Sequence, residues 1–194
     1  MRAAVAAGAG MINDVHGLRR EGAMDTVAEL GVSVCLMHMQ GEPRGMQAEP
    51  TYDDVVGEVH RFLTDRLFAC ELAGIDRRKV LVDPGFGFGK TLEHNLALLC
   101  ALERFGNLGS GVYVGLSRKS MIGTLTGRAA PADRAAGSAA AALIAVQRGA
   151  RMVRVHDVAA TVDALAVWRA VHAVDDVPQR KDKKPGAVRW PDDD

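Results

Sequence analysis

Residues 80–90 read Val80, Leu81, Val82, Asp83, Pro84, Gly85, Phe86, Gly87, Phe88, Gly89, Lys90: an apolar run meets an acid, a proline and then three glycines at alternate positions. A buried strand that stops so abruptly, in a loop whose backbone lacks Cβ atoms, lets a ligand come close to the main chain. Two nucleotide motifs come near and fail. Lys90-Thr91 after Gly89 has the ending of a phosphate-binding P-loop, but the first glycine of that motif falls on Pro84. The dinucleotide fingerprint requires its third glycine where Lys90 stands.

Upstream, residues 2–9 read as the end of an alanine-rich helix closed by glycine, and residues 11–14 as a short strand that stops at Asn13 and Asp14. Residues 22–30 form a predicted helix closed by Gly31, and residues 32–39 (VSVCLMHM) an apolar strand. A loop rich in Pro, Gly and Met follows up to Pro50. Thr51, with Asp54 three residues on, resembles a helix N-cap; Val55, Val59, Phe62, Leu63, Leu67 and Cys70 then recur at helical spacing until Gly74.

Downstream, residues 92–104 are predicted helical, with Leu92, Leu96, Leu99, Leu102 and Phe105 on or near one face. Residues 112–117 form a strand that ends in the polar cluster Ser117, Arg118, Lys119 and Ser120. Pro131 opens an alanine-rich helix that runs to Gly149, residues 152–158 form a last strand, and residues 161–172 a last helix.

Strict alternation of buried strands and amphipathic helices implies a parallel sheet covered by helices, either doubly wound or a barrel. The barrel is favoured because Asn13, Asp83, Ser117, Lys119, Arg154 and His156 fall at or just beyond the ends of several different strands. Barrel enzymes gather their chemistry there, whereas a doubly wound sheet concentrates it at one switch point. About five β-α units are visible and a complete (β/α)8 TIM barrel has eight, so residues 1–174 are expected to form an incomplete barrel, its C-terminal part. Residues 175–194 are a charged tail, expected to be disordered, in which Trp190 is expected to make only a passing contact.

The 194 residues carry 24 basic and 24 acidic side chains, so no bulk field recruits nucleic acid, and any anion site must be local. Cys35, Cys70 and Cys100 are far apart and odd in number, which reads as reduced thiols. With no apolar run of spanning length and no leader pattern, the expectation is a cytoplasmic protein without a membrane partner.

Arg154 and His156 stand two apart, so on a strand both face the same way, here the barrel interior. A guanidinium fork and an imidazole together suit phosphate or pyrophosphate; the alternative is an Arg paired to a structural acid beside a packed His. Ser117 and Lys119 are likewise two apart, with Arg118 pointing elsewhere. Asp83 and Asn13 offer a carboxylate and an amide that can hold the polar edge of a flat heterocycle, unless Asp83 caps its own glycine loop.

A metal at Cys35 and His38 is disfavoured, because an odd offset sends the two to opposite faces and further ligands are missing. His38 is expected in the wall of the fold, Met37, Met39 and Met46 as core or pocket-lining residues, and His60, His94 and His172 on helix surfaces.

Taken together, residues 12–18 (INDVHGL), 35–41 (CLMHMQG), 81–90 (LVDPGFGFGK), 114–123 (VGLSRKSMIG) and 152–158 (MVRVHDV) resemble the bacterial dihydropteroate synthase family over nearly the whole chain. The resemblance implies a (β/α)8 barrel that condenses 6-hydroxymethyl-7,8-dihydropterin pyrophosphate with 4-aminobenzoate in folate synthesis, a pterinylmethyl transferase assisted by Mg2+ and commonly a homodimer. By motif, Asn13, Asp83 and Lys119 match pterin-binding residues. Met37 and Phe88 match residues lining that pocket and the aminobenzoate approach. Ser117 matches a contact to the aminobenzoate carboxylate, and Arg154 and His156 match the pyrophosphate site, which makes Lys119, Arg154 and His156 the expected catalytic set. The family's Mg2+ ligand and its two mobile N-terminal loops have no counterpart here and would lie before Met1. Two other readings remain open: a pterin-binding or dimerising remnant without turnover, and a methyltetrahydrofolate methyltransferase of the same pterin-binding group, which the SRKS and RVHDV motifs fit less well.

Overall fold

The computed structural model of the chain describes residues 1–41 and 50–175. The expected charged tail with Trp190, and the part of the Pro/Gly/Met loop that holds Met46, lie outside the described residues. In chain order the elements are α1 (Arg2–Ala6), β1 (Met11–Asp14), α2 (Ala23–Leu30), β2 (Ser33–Met37), α3 (Val55–Leu72), β3 (Val80–Asp83), α4 (Leu92–Cys100), α5 (Glu103–Gly106), β4 (Gly111–Val114), α6 (Ser120–Thr126), α7 (Ala135–Gln147), β5 (Ala150–Val153) and α8 (Val158–Asp175).

The five strands form one parallel sheet in the order β1-β2-β3-β4-β5. Each strand lies beside its neighbour in sequence, with a helical crossover between them, which is how a barrel is wound; a doubly wound sheet reverses its order. The sheet is thus an arc of a TIM barrel, as the strand-end pattern predicted. One face is sealed by helices: Val34, Leu36, Val80, Val82, Val112 and Val114 pack with Val59, Leu63, Leu67, Leu98, Leu102 and Phe105 in a single core. Alternation sends Cys35, Met37, Asp83 and Tyr113 to the opposite, concave face. There Met152 remains 42% exposed, because the arc does not close around it.

Several boundaries differ from expectation for local reasons. Asp54, not Thr51, caps α3: its carboxylate accepts from Gly57 N at 3.0 Å, while Glu58 reaches back to the Asp53 and Asp54 amides. Thr51 instead exchanges backbone bonds with the Gln40 side chain. The helix predicted over 92–104 breaks after Cys100 and restarts as the short α5, and Leu96 is 39% exposed rather than in the apolar face. Pro131 begins a 3-10 turn that precedes α7. The helix α6 was not foreseen; its Gly and Thr content conceals two buried anchors, Met121 and Ile122.

The last two strands end earlier than predicted. β4 stops at Val114 and β5 at Val153, with an irregularity in register between Val112 and Tyr113. Ser117, Lys119, Arg154 and His156 therefore sit on loops beyond the strand ends rather than on strands.

Candidate functional site

Asp83 ends β3 on the concave face and is buried. Its Oδ1 accepts from Gly85 N at 2.8 Å, so it does cap its own loop. Burial pushes its carboxyl above the usual carboxylate range, while the Gly85 N–H, Lys119, Lys90 and Arg154 pull it back. The glycines after it are sterically required. A Cβ on Gly85 would lie 1.8 Å from the His38 carbonyl oxygen and one on Gly89 2.6 Å from that of Gln40, and both residues have positive φ. The loop is thereby laid directly against the segment that leaves β2.

Lys90 closes the loop from within. Buried, it places Nζ 3.0 Å from Gly85 O, from Phe88 O and from His38 Nδ1. Burial draws its ammonium down to about 7, against the pull of Asp83. Asn95, also buried on α4, accepts from Gly87 N at 2.8 Å and donates to Thr91 O. His38 lies in the wall as expected, edge-on to Phe62, and burial with the Lys90 and Arg19 charges holds its imidazole down at about 3.

Beyond β4 the chain turns through Arg118, at φ 60°. On either side of this reversal Ser117 meets His156 and Lys119 meets the glycine loop, while Arg118 meets Ser138 of α7 and Asp157. Lys119 Nζ donates to Phe86 O and lies 4.5 Å over the Phe88 ring, a cation–π contact. Burial lowers its ammonium to about 8; Asp83 opposes that shift and Arg154 adds to it. Asp83, Lys119 and Arg154 therefore share one field across the ends of β3, β4 and β5.

Arg154 and His156 take different partners. The Arg154 guanidinium passes beside Gly115, where a Cβ would meet it at 3.6 Å, and its backbone N–H extends the ladder to Val114 O. His156 turns onto Ser117: its N–H donates to Ser117 Oγ at 3.1 Å, and Nδ1 lies 3.0 Å from the same oxygen. Neither Arg154 nor His156 is paired to a carboxylate among the described residues, so the structural-acid alternative for Arg154 does not hold there. Met37 pairs in register with Asp83 and is buried beside it. Phe88 is half-buried under Lys119. Asn13 is exposed on β1, level with Cys35 and hence one inward step short of Asp83.

Sequence reasoning missed Lys90, Asn95, Ser138, Arg134 and the Arg118–Asp157 pair. Lys90 stood in view as the lysine of a failed P-loop, but nothing in the sequence tells a buried loop staple from a ligand-facing cation. His94 was expected on a surface; it is half-buried, completes a capping box with Thr91, and meets Tyr52 edge-on at 4.9 Å. Among the described residues no three His, Cys, Asp or Glu side chains cluster as metal ligands would. No helix among them is long and apolar enough to cross a membrane. A cavity of about 790 Å3 between β4, β5 and α8, lined by Ser110, Arg151 and Trp168, holds none of the candidate residues.

Comparison with known proteins agrees with this geometry. Residues 1–156 match the model of the pterin binding enzyme family. The dihydropteroate synthase of Escherichia coli K12 is 49% identical over 170 residues, covering 88% of this chain and 60% of that protein. The crystal structure of dihydropteroate synthase from Stenotrophomonas maltophilia, with imidazole bound in its active site, superposes at a TM-score of 0.87 with 66% identity, over 89% of this chain and 65% of that one. The Xanthomonas albilineans enzyme in complex with 7,8-dihydropteroate superposes at 0.84 with 62% identity, over 89% and 63%. The chain thus spans about 60% of the length of the curated relatives it matches.

Proposed function

The chain belongs to the pterin binding enzyme family, and from that premise we propose that it carries the ring-binding and anion-binding side of a dihydropteroate synthase site. The reaction joins 6-hydroxymethyl-7,8-dihydropterin pyrophosphate to 4-aminobenzoate, giving 7,8-dihydropteroate and pyrophosphate in folate biosynthesis. The observation that carries this reading is that buried Asp83, Lys119 on the Phe86 carbonyl and Phe88 ring of the same glycine loop, and Arg154 beside Gly115 stand at the ends of three adjacent strands. The likeness to a structure holding 7,8-dihydropteroate supports it.

In this reading Asp83, Lys119 and Asn13 hold the polar edge of the pterin, while Met37 and Phe88 wall the ring and the approach of the arylamine. Ser117 takes the aminobenzoate carboxylate. Arg154 and His156 take the pyrophosphate, whose oxygens a guanidinium fork and an imidazole N–H both suit. The neutral arylamine nitrogen attacks the pterin methylene carbon, the C–O bond to pyrophosphate breaks, and the amine proton leaves to solvent. The protein's work is to hold two flat rings in line and to stabilise charge on the leaving group. No side chain need act as a strong base. Mg2+, when bound, would offset charge on the leaving pyrophosphate; among the described residues no cluster of acidic, Cys or His side chains makes a site for it.

The test is product formation by the purified chain with both substrates and Mg2+, followed by mass spectrometry. Dihydropteroate that disappears in Arg154→Ala supports the reading. The open concave face, with Met152 exposed, favours a second one: pterin binding without turnover. Binding of pterin with no product would decide for it. The three free thiols, Cys35, Cys70 and Cys100, support a cytoplasmic setting. An apolar groove on α4, α6 and α7, bounded by Leu96, Leu125 and Ile144, is the face we assign to a homodimer of the kind the family resemblance implies.

A further inference from the structure

Arg118 occupies the left-handed region at φ 60°, a conformation that costs a side-chain-bearing residue and persists only where the surroundings over-determine it. Here three contacts do so. Its backbone N–H donates to Ser138 Oγ at 2.9 Å, and its carbonyl accepts from Arg134 Nη1 at 2.9 Å. Its guanidinium forks onto Asp157, Nη2 to Oδ1 at 2.6 Å and Nε to Oδ2 at 3.0 Å.

Asp157 immediately precedes α8, the place from which a carboxylate ordinarily caps the helix. Its side chain goes to Arg118 instead, and its backbone carbonyl accepts from the N–H and hydroxyl of buried Thr161. The neighbouring rung is Ser117 with His156. Two consecutive residues of one loop thus grip two consecutive residues of the next, beyond the point where the ladder between β4 and β5 has ended. A partly exposed ion pair adds little stability, but a bidentate fork fixes orientation, and lysine cannot reproduce it.

We infer that Arg118 is a positioning residue: by clasping Asp157 it holds residues 117–119 against residues 154–157 and so sets the ring-binding and anion-binding halves of the site in register. The inference rests on the function proposed above, because it takes Ser117, Lys119, Arg154 and His156 as ligand-facing. Arg118 itself is directed away from the concave face and touches no substrate in this assignment.

The test uses the full chain with two variants. Arg118→Gly keeps the left-handed backbone without the fork, and Arg118→Lys keeps the charge without it. Three readouts apply: calorimetric titration with inorganic pyrophosphate and with 6-hydroxymethylpterin, the melting temperature, and the ring 15N shifts of His156. Expected are melting temperatures within a few degrees of the parent, pyrophosphate affinity down by about tenfold or more in both variants, and His156 nitrogens displaced from their Ser117-bonded values. Unchanged affinity with an unchanged His156 signature overturns the inference. So does an affinity loss that only follows a collapse of the melting temperature while the His156 signature stays. If the parent binds neither probe, the functional reading fails, and the His156 shifts alone decide the clasp.

Discussion

Lys90 Nζ stands 3.0 Å from His38 Nδ1, with Gly85 O and Phe88 O at the same distance, so one buried amine ties the end of β2 to both sides of the glycine loop. The loop that carries the candidate pocket wall is held by a buried side chain whose amine is turned onto the loop's own carbonyls. Removing it takes one hydrogen bond from Gly85 O, which keeps the Phe88 N–H, and one from the part-buried Phe88 O. Lys90→Met is therefore expected to cost about 1 kcal/mol, read as a lower urea midpoint at unchanged slope. An unchanged midpoint would show that the loop is held without the amine.

His38 supplies an acid-dependent term. Its folded value, about 3, lies below the ordinary 6.5, so between those values the unfolded chain binds a proton that the folded chain refuses. Stability on this account is present above pH 6.5 and is lost as pH falls toward 3. At pH 5 the loss amounts to about 2 kcal/mol relative to pH 7.5. Urea unfolding of the parent and of His38→Gln at the two pH values checks it: the drop should be smaller in the variant by about that amount, and equal drops would refute it.

Gly85→Ala meets the His38 carbonyl at 1.8 Å and a φ of +73°. Backbone cannot yield as a flexible side chain can, so a loss of at least about 2 kcal/mol is expected. The same substitution at Gly127, with positive φ and nothing within 4 Å, should cost less. Thermal melts of the two variants side by side test the ranking.

Burial lowers the Lys119 ammonium to about 8, above which the positive charge in the neighbourhood of Arg154 is lost. Pyrophosphate itself ionises in this range, so the comparison is with Lys119→Met: the affinity advantage of the parent over the variant should be level below that pH and shrink above it. Titrations from pH 6.5 to 9.5 in both proteins decide the matter, and an advantage that stays level throughout overturns the expectation.

Leu125 and Ile144, 55% and 41% exposed, border the apolar groove assigned to a second copy. Ile144→Glu would bury a charge there and is expected to shift the light-scattering mass of the parent assembly to that of one chain. A parent that is already monomeric removes this groove from consideration.

Strand and helix order was legible because each buried strand reads as a short apolar run and each helix as a 3.6-residue period. The alternation suffices for a parallel arc. The glycine loop was legible as a site because Asp83 meets spaced glycines at a strand end. What misled was extent: Arg154 and His156 read as a strand face two residues apart, yet β5 ends at Val153, and the two side chains lie beside Gly115 and Ser117 respectively.

By itself, then, the sequence determined the parallel order of the elements, the apolar helix-facing layer, and which residues stand at strand ends, since these follow from local periodicity and turn chemistry. Only the tertiary structure decided which polar side chains serve the pocket and which serve the scaffold. Lys90 and Lys119 are both cations beside the same glycine loop; one is turned inward onto carbonyls and His38, and the other lies over Phe88 in the field of Asp83. That choice depends on burial and on partners 33 and 52 positions away, Phe86 for Lys119 and His38 for Lys90, which no local pattern encodes.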